Sequence, residues 1–309
     1  MPSPSPAGRL RALITELRPH QWAKNALVLV PSLLAPGVPS PGLLARALLA
    51  AFTFSLCASA GYVLNDLLDL EADRAHATKR RRPFASGDLP ARFGPPLGVA
   101  LVVISFALAL LYLPPRFALM LAIYLGGTVT YSLYLKKRLL VDVLALAGLY
   151  AHRILSGGVA TGIHVSAWLF GFSIFLFMSL AFVKRFVELQ QLIGTEKASS
   201  REYYRVDIDM VRSMGTASAM VSALVYMLYV ETAAVRVGYL EPAILWLVLP
   251  VLLFWVERIW MLAGRGQMQE DPVRFAVKDP KSIACGAMIV AITVAARLTP
   301  QWALALFRQ

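Results

Sequence analysis

Residues that build disulfide frameworks and transition-metal sites are scarce in this sequence. Its 309 residues include only two cysteines and four histidines. Cys57 and Cys285 both lie inside apolar runs, and two isolated cysteines lack the spacing of a thiolate metal site. The four histidines show no ligand spacing among themselves. We therefore expect neither a disulfide scaffold nor a metal centre built on cysteine or histidine.

Acidic residues are also few, since 18 Asp and Glu stand against 30 Lys and Arg and the net charge is +12. In a soluble protein this charge would suggest nucleic-acid binding. Here the basic residues are concentrated in alternate loops, whereas residues 36–42 and 161–165 contain no Lys or Arg. The positive-inside rule predicts that the basic loops and the N-terminus are cytoplasmic. The membrane accounts for the charge, so no nucleic-acid partner is expected.

Long apolar runs are what the sequence has in abundance. Hydrophobic residues make up 58% of the chain and the mean hydropathy is +0.63, values typical of a membrane protein. We predict nine spans, at 21–35, 43–64, 97–113, 117–135, 139–160, 166–189, 213–233, 240–262 and 281–300. Residues 1–17 are predicted to be a disordered cytoplasmic lead, and residues 18–309 a single membrane-embedded domain.

Carboxylates follow the second apolar run in an unusual arrangement. Asp66, Asp69 and Asp73 are spaced i, i+3 and i+7, so on a helix they share one face with Asn65, whereas Glu71 falls off it. Unpaired carboxylates are costly at a membrane boundary, and oxygen ligands of this kind suit Mg²⁺, which commonly bridges substrate phosphates. The alternative is that these residues only cap and solubilise a helix end. We predict a Mg²⁺–phosphate site at the membrane surface.

Basic residues near this face are a second group of candidates. Lys79, Arg80 and Arg82 would neutralise phosphate charge, or they would only anchor a cytoplasmic loop. The same alternatives apply to Lys24, Lys136, Lys184 and Arg185. Arg153 lies inside the fifth predicted span, where a guanidinium should face the bundle interior. It would bind phosphate or organise the site, or it would pair with a buried carboxylate or with helix carbonyls.

The motif N-D-x-x-D-x-x-x-D after the second apolar run resembles the hallmark of the UbiA superfamily of intramembrane prenyltransferases. Asn65, Asp66, Asp69 and Asp73 match it in full. The resemblance implies an all-α, polytopic membrane protein, a bundle of nine transmembrane helices with a central cavity open to the cytoplasmic side. It also implies that Asp66, Asp69 and Asp73 hold Mg²⁺, which binds the diphosphate of a donor.

The sequence departs from this family in a second motif, D-x-x-x-D, which prenyl-transferring members carry near the start of the fifth helix. Asp142 lies in that region but is followed four residues later by Leu146. Basic residues occur instead, namely Arg153, Lys184 and Arg185. One half of the usual two-metal cage is therefore weakened.

This departure makes the sequence similar to one branch of the family, the decaprenyl-phosphate phosphoribosyltransferases. The likeness is carried by the stretches 18–25, 131–143, 153–160, 184–189 and 271–276. In that branch the diphosphate donor is phosphoribosyl pyrophosphate and the acceptor is a polyprenyl phosphate. The resemblance implies transfer of 5-phosphoribose to a polyprenyl (decaprenyl) phosphate with release of pyrophosphate. It places this enzyme in the cell membrane, in the synthesis of cell-wall arabinan precursors.

The predicted site residues follow from the motif, the branch resemblance and residue chemistry. Those predicted to be catalytic are Asp66, Asp69, Asp73, Lys24 and Arg153. Those predicted to bind substrate are Asn25, Asn65, Lys79, Arg80, Arg82, Tyr131, Tyr134, Lys136, Asp142, Lys184, Arg185 and Glu188. Mg²⁺ is the predicted cofactor, and assembly into a homo-oligomer is compatible with the sequence.

Two other functions are compatible with parts of the sequence. A UbiA-type prenyltransferase that moves a polyprenyl chain onto an aromatic acceptor fits the first aspartate motif but lacks the second. A transporter or lipid-binding protein without catalysis would hold its polar site near the bilayer midplane. Here the polar residues, apart from Arg153, cluster at one membrane interface instead. Phosphoribosyl transfer is the function that we predict.

Overall fold

The computed structural model describes residues 6–35, 39–75, 79–192, 201–232, 235, 238–268 and 271–298. The predicted all-α fold class is confirmed. The α-helices are α1 (Pro6–Leu17), α2 (Val30–Leu34), α3 (Pro41–Leu68), α4 (Leu70–Ala75), α5 (Pro83–Ser86), α6 (Gly94–Tyr112), α7 (Pro115–Leu133), α8 (Val141–Thr161), α9 (Ala167–Gln190), α10 (Ile208–Val230), α11 (Val248–Gly264), α12 (Pro272–Lys278) and α13 (Pro280–Leu298). Segments of 3₁₀ helix lie at Pro19–Leu29, Lys79–Arg81, Ala91–Phe93, Leu135–Lys137, Arg205–Asp207 and Pro242–Leu247.

Within the described residues, eight helical stretches are long and apolar enough to cross a membrane. They are Pro41–Leu68, Ala91–Tyr112, Pro115–Leu133, Val141–Thr161, Ala167–Gln190, Arg205–Val230, Pro242–Gly264 and Pro280–Leu298. Each overlaps one of the predicted spans from 43–64 onwards. The start of Arg205–Val230 differs most from its prediction, at 213, because a polar helical turn with Asp209 and Arg212 precedes the apolar part. The chain is a multi-pass membrane protein.

The first predicted span, 21–35, has a different backbone. Pro19–Leu29 form a 3₁₀ helix of 11 residues, which continues as the five-residue α2. A 3₁₀ helix rises about 2.0 Å per residue against 1.5 Å in an α-helix. The two segments together therefore extend about 30 Å, close to the thickness of the hydrocarbon core. Neither segment has the residue count of the eight spans above, so a ninth crossing stays a prediction.

One row of this 3₁₀ helix faces α3. Residues three apart lie in one row because the helix has three residues per turn. The Trp22 indole donates to Ser59 Oγ at 3.1 Å, and one turn later the Asn25 amide donates to Ser55 Oγ at 3.0 Å. Val28, a further turn along, is fully buried in an apolar cluster that includes residues of α3. Polar and apolar contacts in this row fix the first span to α3.

Two glycines permit close helix packing. A Cβ on Gly157 of α8 would lie 2.0 Å from the backbone carbonyl oxygen of Val28, a separation that no side chain can adopt. A Cβ on Gly215 of α10 would lie 2.2 Å from the ring of Trp260. The 3₁₀ helix can therefore pack against α8, and the Trp260 ring against α10, only because these positions lack a side chain.

Residues 6–17 form helix α1, whereas we predicted that 1–17 is disordered. The prediction is wrong for 6–17, and residues 1–5 lie outside the described residues. It followed the prolines and serines at the start of the chain, but the next residues gain packing partners in α3 and α5. On α1, Ala12 and Glu16 are buried, and Leu10 and Ile14 on the opposite face are exposed. Packing of the Ala12 face stabilises the helix.

Candidate active site

The aspartate motif lies where α3 ends and α4 begins. The helix breaks at Asp69, but Asp69 N donates to Asn65 O at 2.9 Å and Asp73 N donates to Asp69 O at 2.8 Å. These hydrogen bonds continue the helical turn, so Asp66 and Asp73 keep the common face that their spacing predicts. Both are buried, whereas the Asp69 side chain is 34% exposed.

Arginines from two parts of the chain bind the buried aspartates. Arg82 Nη1 lies 3.0 Å from Asp66 Oδ1 and 2.5 Å from Asp73 Oδ2, so one guanidinium bridges both carboxylates. Arg18, just before the first span, bonds the other oxygen of Asp66. Lys79 Nζ lies 3.9 Å from Asp73. The structure thus brings the predicted residues Lys79 and Arg82 to the motif and adds Arg18, which we had named only as part of a likeness.

Asp69 has its own partners. Lys136 Nζ lies 3.6 Å from its carboxylate, and the Asn65 amide donates to it at 3.3 Å. Two predicted substrate residues, Arg80 and Tyr134, are exposed instead, and the contacts described for the motif include neither of them. Lys136, which approaches from the loop between α7 and α8, therefore joins the aspartates, and Arg80 and Tyr134 do not.

Asp142 lies in a buried ion-pair cluster at the start of α8. Arg185 Nε is 3.2 Å and Arg201 Nη1 is 3.3 Å from Asp142 Oδ2, and the Tyr203 hydroxyl donates to Oδ1 at 2.7 Å. Glu188 binds both guanidiniums. Three of these residues were predicted to bind substrate. Arg201 and Tyr203 were missed because they lie about 60 residues further along the chain, in a loop without a recognisable motif.

The same loop also reaches the aspartate motif through the backbone. Arg201 Nη1 donates to the carbonyl oxygen of Lys136 at 3.0 Å. The pKa of Arg201 is raised despite its burial, because Tyr131, Glu188 and Asp142 favour the charged form. Arg201 therefore links the Asp142 cluster to the residue whose ammonium lies at Asp69.

Arg153 lies deep in α8 among polar and aromatic groups. Its guanidinium donates to Asn25 Oδ1 and to the Tyr124 hydroxyl, both at 3.0 Å, and to the Leu149 carbonyl at 2.6 Å. The guanidinium carbon lies 5.2 Å from the centre of the Tyr150 ring. Among the described residues no carboxylate pairs with Arg153, so the buried ion pair considered above is not found. A helix carbonyl, an amide, a hydroxyl and aromatic rings surround the guanidinium instead.

Lys24 and Lys184 meet at a carboxylate that we had not predicted as a site residue. Asp271 Oδ2 lies 3.1 Å from Lys24 Nζ and 3.5 Å from Lys184 Nζ. The other Asp271 oxygen accepts hydrogen bonds from the backbone N–H groups of Val273 and Arg274, which caps α12. Burial alone would raise the pKa of Asp271, but the two lysines outweigh it and hold the pKa at about 2. The structure thus fixes both ammonium groups.

A second row of the 3₁₀ helix connects these lysines to a large apolar cavity. Lys24 and Lys184 line a cavity of about 60 Å³. Leu27 and Val30, one and two turns beyond Lys24 in the same row, line a cavity of about 690 Å³. Its wall also includes Trp168, Phe172, Tyr226, Trp255 and Cys285. A pair of cations therefore lies at the end of an apolar wall, which suits a ligand with an anionic head and a hydrocarbon tail.

Glu16 of α1 lies beside the motif and was also missed. It is fully buried, and within the described part of the chain no donor group reaches either carboxylate oxygen, so its hydrogen-bonding neighbour is the Asp66 carboxylate. Burial, followed by the charge of Asp66, raises the pKa of Glu16 to about 8, although Arg18 and Arg82 lower it. A single Glu in an N-terminal helix gives no sequence signal for such a position, because the contact to α3 is long-range.

The motif aspartates have the chemistry of a magnesium site. Carboxylate oxygens are the ligands that Mg²⁺ prefers. In the residues that the structure describes, no three Asp, Glu, His or Cys side chains form a metal-binding group. In this structure Arg82 bridges Asp66 and Asp73 while Lys136 lies at Asp69, so these carboxylates are paired with cations. The donor set therefore fits Mg²⁺ once these cations have phosphate oxygens to bind instead.

Known proteins resemble this chain in both sequence and fold. Uncharacterized protein y4nM of Sinorhizobium fredii is 36% identical over 298 residues, which are 95% of this chain but 57% of that relative. Nodulation protein NoeC of Azorhizobium caulinodans is 34% identical, with 87% of each chain covered. Decaprenyl-phosphate phosphoribosyltransferase of Mycobacterium tuberculosis is 35% identical, with 76% of this chain and 78% of the relative covered.

The fold matches a solved UbiA homologue from Archaeoglobus fulgidus that was bound to GPP and Mg²⁺. The TM-score is 0.68 at 14% identity, with 92% of this chain and 99% of the other covered. Residues 26–278 match the UbiA prenyltransferase family, which confirms the resemblance seen in the aspartate motif. The chain is therefore a membrane-embedded enzyme, and it belongs to the UbiA prenyltransferase family.

Proposed function

We propose that this enzyme transfers 5-phosphoribose from phosphoribosyl pyrophosphate to a polyprenyl phosphate and releases pyrophosphate. The observation that carries the proposal is the environment of Asp142. This carboxylate lies where prenyl-transferring relatives are expected to carry a second metal motif, yet it is fully buried and bound to Arg185, Arg201 and Tyr203. One acidic motif surrounded by cations suits a donor that brings several phosphate groups. Relatives with 33–35% identity that carry the name decaprenyl-phosphate phosphoribosyltransferase support the same choice.

The donor would bind at the aspartate motif. Mg²⁺ held by the motif aspartates would supply positive charge to the leaving diphosphate. Arg18, Lys79, Arg82 and Lys136 already lie within 4 Å of these aspartates. Guanidinium and ammonium groups form charge-assisted hydrogen bonds to phosphate oxygens, so these four are the candidates to bind the donor's phosphates.

The acceptor would bind along the other row of the first span. Lys24 and Lys184 would bind the lipid phosphate, and Leu27 and Val30 would contact the first part of the polyprenyl chain in the 690 Å³ cavity. This assignment separates the two substrates, with the donor at the motif and the acceptor at the lysine pair. Tyr150, whose ring centre lies 5.9 Å from Lys24 Nζ, borders both the lysine pair and Arg153.

The proposed reaction needs little from the protein besides position and charge. The bond from the anomeric carbon of ribose to the diphosphate oxygen breaks, and its electron pair leaves with pyrophosphate. A bond forms between the same carbon and an oxygen of the lipid phosphate. That oxygen is already ionised at pH 7, so no general base is required. Basic side chains would hold leaving group and nucleophile in line and stabilise their charges.

We assign Arg153 a positioning role in this scheme. It binds Asn25, the neighbour of Lys24 in the 3₁₀ helix, and it also binds Tyr124 of α7. The guanidinium thus fixes the first span relative to α7 and α8 at the level of the acceptor lysine. A displacement of about 1 Å at such a position can cost about 100-fold in rate.

We further propose that residues 18–309 form one catalytic domain in the cytoplasmic membrane, with the N-terminus and the site facing the cytoplasm. The distribution of basic loops supports this orientation, as does the need for a water-soluble phosphorylated donor. Arg80 is exposed close to the motif, and Cys57 and Cys285 are both buried. The Arg80→Cys protein should therefore react with a membrane-impermeant maleimide in inside-out vesicles. Labelling only in right-side-out vesicles would show that position 80 faces the outside and would refute the proposed orientation.

The test of the function is donor selectivity in a pyrophosphate-release assay. Purified enzyme with Mg²⁺ is given phosphoribosyl pyrophosphate and a polyprenyl phosphate, or a prenyl diphosphate and an aromatic acid. We expect release only with the first pair. Release only with the second would favour a prenyltransferase, which the apolar cavity could also serve, and would refute the proposal. Asp69→Asn should abolish release without lowering the melting temperature, because Asp69 is 34% exposed and its contacts with Lys136 and Asn65 are only partly buried.

A further inference from the structure

The buried carboxyl group of Glu16 has no structural role that its surroundings explain. Buried polar atoms almost always have hydrogen-bond partners, and a buried carboxylate without one is costly. Among the described residues, no N–H or O–H donor reaches either Glu16 oxygen, and the carboxylate of Asp66 beside it can bond to Glu16 only if one of the two groups holds a proton. The neighbouring Asp66 is itself a carboxylate and offers acceptor atoms. The nearby guanidiniums of Arg18 and Arg82 already donate to aspartates. Helix α1 therefore buries an oxygen donor pair at the motif without using it.

The aspartate motif, in turn, is short of carboxylates for a site that binds a charged diphosphate. The second family motif is missing, and Asp142 is committed to Arg185, Arg201 and Tyr203. Asp69 projects towards Lys136 and is partly exposed. Only Asp66 and Asp73 converge, on the single guanidinium of Arg82. A third buried carboxylate at this point would complete a set of oxygen ligands of the type that Mg²⁺ takes.

We propose that Glu16 supplies a further carboxylate to the divalent-cation site formed by Asp66 and Asp73. The proposal rests on the magnesium site of the proposed function, and it adds a ligand from a helix outside the family motif. When a cation binds, the Glu16 oxygens gain the partner that the protein does not provide. The N-terminal helix thereby becomes part of the site. It supplies a carboxylate of the kind that the missing second motif supplies in prenyl-transferring members.

The test compares Glu16→Gln with wild type by Mn²⁺ binding to the full chain in detergent. Free Mn²⁺ is measured by electron paramagnetic resonance, which needs no turnover. Glu16→Gln keeps the shape of the side chain, and we expect it to raise the Mn²⁺ Kd by about tenfold or more. In EDTA its melting temperature should equal that of wild type, because Gln has the size and shape of the protonated Glu16 carboxyl that the raised pKa favours.

Glu71→Gln is the matched control, because Glu71 is also acidic and close to the motif but is exposed. It should leave the Mn²⁺ Kd within twofold of wild type. A Glu16→Gln protein with wild-type Mn²⁺ affinity would overturn the proposal. So would a Glu16→Gln protein that fails to fold or melts at a lower temperature in EDTA, because the carboxylate would then serve the fold.

Asp66→Asn separates this proposal from the proposed function. If Asp66→Asn weakens Mn²⁺ binding and Glu16→Gln does not, only the role of Glu16 is refuted. If neither change weakens binding, the aspartate motif is not the cation site and the magnesium part of the proposed function falls as well.

Discussion

Replacing Asp142 by Asn should destabilise the protein and leave its metal affinity unchanged. Removing one partner of a buried ion pair costs about 3–5 kcal/mol, because the other charge stays buried without compensation. Here Arg185 is 1% exposed and Arg201 is 16% exposed, but both keep Glu188 as a partner. The lower end of the range, about 3 kcal/mol, therefore applies. At about 2 °C per kcal/mol for a chain of this size, the melting temperature should fall by about 6 °C.

The assay is thermal unfolding of the purified protein in detergent, followed by Mn²⁺ titration of the same samples. Asp209→Asn is the control, because Asp209 is 77% exposed and its pair with Arg212 should contribute little. We expect its melting temperature to stay within about 1 °C of wild type. An Asp142→Asn protein with unchanged melting temperature and weakened Mn²⁺ binding would show that Asp142 is a metal ligand. That result would remove the main support for a phosphoribosyl donor.

Three further changes test other parts of the structure. Arg153→Met should lower kcat/KM about 100-fold and lower the melting temperature by a few degrees, because the buried Asn25 Oδ1 loses its hydrogen-bond donor; an unchanged kcat/KM would contradict the positioning role. Asp271→Asn should lower the free energy of unfolding by about 2 kcal/mol at pH 7. The low pKa of Asp271 gives stability above about pH 4 that is lost as pH falls towards 2, so melting curves of both proteins should converge in acid. Gly157→Ala should lower the free energy of unfolding by about 1–3 kcal/mol, because the added Cβ would clash with Val28 O. Gly148→Ala is the control: a Cβ there meets no atom within 4 Å, so the same melting assay should show no loss of stability.

Much of the fold could be predicted because its signals are local. Eight of the nine predicted spans appear as long helices, since apolar runs of about 20 residues leave few alternatives in a bilayer. The face shared by Asp66 and Asp73 follows from their spacing alone. Local periodicity was sufficient for these features. The family was indicated separately, by the resemblance of N-D-x-x-D-x-x-x-D after a second apolar run to a known family motif.

The features that the sequence did not predict depend on contacts between distant segments. Trp22 and Asn25 bind serines of α3, and these contacts accompany a 3₁₀ backbone that hydropathy cannot distinguish from an α-helix. Arg201 reaches Asp142 from 59 residues away. Asp271 approaches Lys24 across almost the whole chain, 247 residues. No window of sequence contains both partners of any of these pairs, so periodicity and spacing carry no signal for them.

The guanidiniums on Asp66 and Asp73 have a consequence for how the site fills. A divalent cation that arrives alone must displace Arg18 and Arg82 and leave both without an anion. A cation that arrives with a diphosphate offers the two arginines a new anion in the same step. Metal and donor should therefore bind with positive cooperativity, and thermodynamic reciprocity requires each to raise the affinity of the other by the same factor. In the proposed site, neutralisation of the carboxylates by arginine would make a divalent cation bind weakly alone and more tightly together with the donor.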